Sequence, residues 1–212
     1  MMKPSVLFVC MLAVAAIAAQ GQDYKLEPIA TAPPTLPAAY ASVGLQSQGL
    51  RVSGPKGVWC EVWFRKSVPT GGKPSDSAIA FPVAQGTLLG ILRFPAKGAD
   101  RRGQTIPAGV YTLRYSDYPV DGAHQGVAPQ RDFALMTPID SDPDPNATPA
   151  FDALVAMSTK ASSSPHPAVL SLESPAGSQF PALTKEGDSD WALSVKLDNL
   201  QIAIIVVGMY QG

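Results

Sequence analysis

Three stretches of this chain have residue types and spacing from which a chemical site can be built. The first, SDYPVDGAHQGVAPQRD over residues 116–132, gathers Asp121, His124, Arg131 and Asp132, with Asp117 and Tyr118 just before them. An imidazole close to carboxylates can act as a general base or bind a metal. The second is the acidic run from Asp140 to Asn146, where Asp140, Asp142, Asp144 and Asn146 place oxygen donors at alternate positions. Alternating oxygen donors can form a weak extracellular calcium site. The third is Val58-Trp59-Cys60-Glu61-Val62-Trp63-Phe64-Arg65. On a strand, Trp59, Glu61, Trp63 and Arg65 share one face and Cys60, Val62 and Phe64 the other. Indole rings beside charged hydrogen-bonding groups can hold sugar rings, by apolar stacking plus polar fixing.

Each stretch also has a plainer reading. Asp121-Gly122 can be a turn that leaves His124 solvated, and the chain has only one other histidine, His166. Without a further nitrogen or thiolate donor a structural zinc site is not expected. The acidic run departs from an EF-hand, because Pro145 stands where the turn glycine is needed and Phe151 where the bidentate glutamate falls. It can equally be a solvated loop before a helix N-terminus, where the dipole favours negative charge. Trp59 and Trp63 can be covered by a neighbouring helix or by the proline-rich segment upstream. Cys60, on an apolar face, reads as a buried and inert thiol. There is no G-x-S-x-G elbow and no glycine-rich phosphate loop opening a helix. Catalysis therefore has little support, beyond a small hydrolase or metal-dependent enzyme centred on His124.

The elements that must position these residues are mostly strands. Proline (21) and glycine (18) are abundant, and short apolar-alternating runs recur between turns. VWCEVWFRKSV, TLLGILRFP, VYTLRYSDY, RDFALMTPI, AVLSLE, WALSVKLDN and LQIAIIVVG all read as strands. In WALSVKLDN, Ala192, Ser194, Lys196 and Asp198 should meet solvent. LQIAIIVVG is apolar on both faces and should lie centrally. A single helix is expected near 149–160, with Thr148 as its cap and Phe151, Leu154 and Val155 at helical spacing. The fold class is mainly β: a single antiparallel β-sandwich with one short helix.

The segment IPAGVYTLR, residues 106–114, resembles the P-x-G-x-Y-x-L motif of prealbumin-like and immunoglobulin-like sandwich modules. The longer run through RDFALMTPIDSDPDP is similar to secreted bacterial proteins. The resemblance implies an immunoglobulin-like or prealbumin-like sandwich that binds or presents rather than catalyses.

Residues 1–21 have the order of a secretory signal peptide: Lys3, an apolar run from Val6 to Ala19, then small residues. The run is too short to span a bilayer, so no stable membrane insertion is expected after cleavage. Cys10 leaves with the signal and Cys60 then has no intrachain partner. Residues 22–40 read as a proline-rich extended leader and 41–212 as the sandwich domain. With a net charge of −1 and no basic stripe, nucleic acid is not a partner. The expectation is a secreted, periplasmic or extracellular non-catalytic binding module for glycan or another envelope protein. Calcium is the one conceivable cofactor, and a purely structural envelope role is the further alternative.

Overall fold

Apolar side chains at alternate positions fix which face of each strand is hidden, and one sheet carries nearly all of them. The computed structural model describes residues 23–33, 35–71, 81–118 and 132–210. Its strands are β1 (Lys25–Ile29), β2 (Gly49–Gly54), β3 (Gly57–Phe64), β4 (Leu88–Phe94), β5 (Gly98–Ala99), β6 (Thr105–Ile106), β7 (Gly109–Asp117), β8 (Asp132–Pro138), β9 (Ala168–Glu173), β10 (Ala182–Glu186), β11 (Asp190–Leu197) and β12 (Leu200–Val207). The helix α1 spans Phe151–Ser162. Ten of the strands form one antiparallel sheet in the order β1-β2-β3-β4-β7-β8-β9-β12-β11-β10. β5 and β6 pair separately.

The sheet is continuous and rolls over on itself. Ala168–Ser171 of β9 pair with β8, whereas Leu172 and Glu173 pair with β12, so the sheet changes partner within one strand. Side chains from both sides of that corner meet in one core, including Val52, Val62, Leu92, Leu113, Leu170, Leu193 and Ile204. Backbone and side-chain bonds cross between the two sides. Asp198 N–H donates to Lys66 O at 2.7 Å, and Asn199 Nδ2 donates to Val68 O at 2.9 Å. Burying each such aliphatic side chain is worth about 1.5–3 kcal/mol, which replaces the missing disulfide. Cys60 is free and fully buried, and burial pushes its thiol well above its ordinary range.

Several expectations change in detail. The upstream segment is extended, but Lys25–Ile29 is an edge strand of the sheet rather than a leader outside it. Leu26 pairs opposite Val52 and packs on the core, and an edge position tolerates Pro28. The helix forms where expected, yet Thr148 does not cap it; Ala150 holds that position without a side-chain bond. α1 packs Leu154 against Phe133, Leu135 and Val169 on the outside of β8 and β9. On β11, Ala192 and Ser194 are buried instead of solvated, because Ala192 packs with Ala203 and Ile205 of β12. β12 is central, between β9 and β11. In the proline-glycine segment before β7, Tyr111 turns into the core and its hydroxyl donates back to Pro107 O at 2.8 Å.

The outer face of β7 carries a buried arginine. Arg114 Nε and Nη2 clasp the Asp142 carboxylate at 2.6 and 2.8 Å, a forked pair. Its remaining donors reach the carbonyls of Gly86, Ala147 and Asp144 at 2.6, 2.6 and 2.7 Å. Thr112 Oγ1 donates to the same carboxylate at 2.7 Å, and Tyr40 OH donates to Asp142 O at 2.8 Å. Asp142→Ala should therefore cost about 3–5 kcal/mol, by leaving the Arg114 charge buried and unpaired. Urea unfolding of the variant checks this; a loss below about 1 kcal/mol would contradict the clasp.

Candidate functional site

The residues singled out from the sequence do not come together as one site. Asp121, His124 and Arg131 lie outside the described residues. Asp132 opens β8 as a buried acceptor, taking the Tyr115 hydroxyl at 2.6 Å. His166 is exposed, and its backbone is engaged by Ser162 and Ser164.

The strand face expected to carry Trp59, Glu61, Trp63 and Arg65 is interrupted by a β-bulge. Val52 pairs with Cys60 and Ser53 with Val58, so Trp59 is the extra residue. A bulge re-aims a side chain, and Trp59 turns toward the core instead of joining Trp63. Its ring meets Phe94 edge-on at 5.7 Å, and its Nε1 donates to Val206 O at 2.8 Å. Trp63 is only 1% exposed. The upstream segment covers it, with Thr31 O accepting from Nε1 at 2.9 Å. Gly49 lies so close that a Cβ there would sit 2.4 Å from the indole nitrogen. Glu61 is also buried, bridged to Arg51 at 2.7 Å and Arg93 at 2.8 Å. Burial opposes its charge, yet the hydrogen bonds from Arg93 and Arg51 outweigh that and hold the carboxyl below its usual range. Arg65 is half-buried and its backbone pairs with Leu45 and Leu89. The two-tryptophan sugar platform is thus corrected to one tryptophan in a groove.

The calcium reading is corrected as well. Asp142 points inward and is taken by Arg114. Asp144 Oδ1 accepts the backbone N–H of Asn146 at 2.9 Å, an ordinary Asx turn. Asp140 and Asn146 are exposed. Among the described residues no group of three or more His, Cys, Asp or Glu could hold a metal ion.

Among the described residues two clefts gather aromatic or charged side chains that could hold a ligand, and neither follows from spacing along the chain. The first, about 420 Å³, lies over the β2–β3 hairpin and is lined by Tyr24, Gly54–Trp59, Ala96 and Lys97. The hairpin turns through Pro55-Lys56, with Gly57 at φ +103°, a conformation that favours glycine. Tyr24 lies across Gly54, where a Cβ would come within 2.5 Å of its ring. Tyr24 packs against Trp59 at 6.4 Å and Trp191 at 5.7 Å, giving the groove an aromatic floor. Lys56 and Lys97 are exposed at its rim, and among the described residues no carboxylate lines it. A reading of the sequence misses this groove because the bulge that turns Trp59 inward has no distinctive residue signature.

The second cleft, about 560 Å³, lies between the β10–β11 turn and the segment after β12. Arg101 forms its floor and pairs with Asp190 at 2.7 Å. Its guanidinium stands 5.8 Å from the centre of the Tyr210 ring. Glu173 and Glu186 face each other beside it. Burial first, and then the hydrogen bond and charge of Glu186, push the Glu173 carboxyl up to about 7. These residues come from distant parts of the chain, so only the folded sheet brings them together.

Neither a known family, nor a curated protein, nor a solved structure matches this chain.

The raised Glu173 carboxyl has a signed consequence for stability. The folded protein keeps a proton that the unfolded chain releases near 4.5, so this group's contribution worsens as pH rises from about 4.5 to 7. Glu173→Gln removes the titration. The variant's thermal midpoint relative to the parent should therefore rise between pH 5 and pH 8. An offset identical at both pH values would contradict the assignment.

Proposed function

We propose that the protein is a secreted or periplasmic, non-catalytic binding module that holds an acidic glycan in the Tyr24–Trp59 groove. The observation that carries this reading is an aromatic floor rimmed by Lys56 and Lys97, with no carboxylate among the described lining residues. A sugar ring presents an apolar face that suits such a floor. A uronic acid adds a carboxylate that the two ammonium groups can neutralise. The floor is preorganised, because the Trp59 indole is tied to Val206 and cannot swing. Among the described residues no imidazole or carboxyl lines the groove to move a proton, which favours holding a ligand over cleaving it. The apolar run at residues 6–19 supports export, toward surroundings where envelope glycans are found.

Calorimetric titration of the secreted chain with an oligogalacturonate tests the proposal. Binding should weaken with added salt and should fall about tenfold or more in Lys56→Ala/Lys97→Ala, whose exposed substitutions leave the fold intact. Equal binding of a neutral glucan, or a double variant that binds like the parent, would contradict it.

A further inference from the structure

We infer that the cleft floored by Arg101 is a second binding site, built for a small ligand that carries a primary ammonium beside an oxygen acceptor. It is separate from the lysine-rimmed groove and rests on different residues. Arg101 lies in the β5–β6 turn, Glu173 ends β9, Glu186 ends β10, Asp190 opens β11 and Tyr210 follows β12. Arg101 is only 6% exposed. One of its nitrogens is used on Asp190, whereas its Nε and Nη1 have no hydrogen-bond partner. Glu173 Oε1 is likewise buried without one. Buried donors and acceptors are rarely left unmet, because each costs about 1–3 kcal/mol. Here Arg101 and Glu173 line the same cleft.

Charge narrows the ligand class. The titratable and charged groups around the cleft are Arg101, Glu173, Glu186, Asp188, Asp190 and Tyr210. Arg101 is matched by Asp190, which leaves Glu173, Glu186 and Asp188 as surplus acidic groups. An anionic ligand would be repelled. A divalent cation is also disfavoured, since no metal-holding cluster occurs among the described residues. An ammonium has three donors and can bridge Glu173 and Glu186 while relieving their repulsion. An oxygen next to that ammonium would meet the unused N–H edge of Arg101. Ile205 and Met209 supply an apolar wall for the carbon skeleton. Amino acids and amino sugars share this chemistry.

Ligand binding must displace the proton held between the glutamates. The ammonium charge replaces it, and the proton leaves to the buffer. The test is calorimetric titration of the secreted chain with glycine, glucosamine, N-acetylglucosamine and ethylamine. Glycine or glucosamine should bind at pH 7, and glycine, whose ammonium persists across the range, should bind several-fold more tightly at pH 8 than at pH 6, with a heat that reports proton release in different buffers. The tighter of the two identifies an amino acid or an amino sugar as the source. Ethylamine, lacking the oxygen, should bind about tenfold more weakly, and N-acetylglucosamine, lacking the ammonium, should not bind. Glu186→Gln, a partly exposed substitution, should weaken binding and reduce its pH dependence, leaving only the part that burial of Glu173 causes. Lys56→Ala/Lys97→Ala should leave this binding unchanged, so failure here is separable from failure of the groove. No binding by either amino probe, equal binding of N-acetylglucosamine, or an unaffected Glu186→Gln variant would overturn the proposal.

Discussion

Ten strands that each carry an apolar face, with a lone buried cysteine and no disulfide among the described residues, must hide those faces against one another. A flat sheet of this width would leave its apolar side in water. Rolling the sheet brings the faces together, and the split pairing of β9 is where the roll is made. Everything else is arranged around that closure. The Trp59 indole reaches across to Val206, and Asn199 reaches across to Val68, so polar groups as well as apolar ones bridge the two sides.

Outside the roll, the Arg114–Asp142 clasp has a different task. A buried ion pair adds little over a well-packed apolar pair of the same volume. Its effect is to fix geometry. Arg114 holds the carbonyls of Asp144 and Ala147, just upstream of α1, and so sets how the helix begins over β8 and β9. Asp142, one of the alternating carboxylates that read as a calcium loop, is therefore already paired with a side chain of this protein. The two clefts that gather aromatic or charged side chains lie at turns of the rolled sheet. One opens where the β2–β3 hairpin and Tyr24 overhang the core, the other where the β10–β11 turn meets the segment after β12.

The strands and the helix were legible because period-two and period-3.6 patterns survive in single sequences. VYTLRYSDY, RDFALMTPI and LQIAIIVVG all became strands, and Phe151, Leu154 and Val155 lie on the helix that packs over the sheet. What escaped was everything decided by partner rather than by pattern. The bulge at Trp59 depends on how β2 meets β3, and it reverses the facing of one side chain without leaving a mark in composition. Trp63 keeps its expected face but is covered by a segment some thirty residues upstream. Likewise Ala192 and Ser194 alternate as a solvated face would, yet neighbouring side chains bury them. Arg101, Glu173 and Glu186 could not be grouped without the sheet order.

The central claim is that a ligand occupies the aromatic groove above the hairpin, held by a floor and two lysines. Amide chemical-shift mapping by NMR, with an oligouronate titrated into the isotope-labelled protein, tests it most directly. The expected result is saturable shifts concentrated at Tyr24, residues 54–59 and residues 96–97, together with the Trp59 indole N–H. Shifts that centre elsewhere, or none at saturating ligand, would contradict the claim.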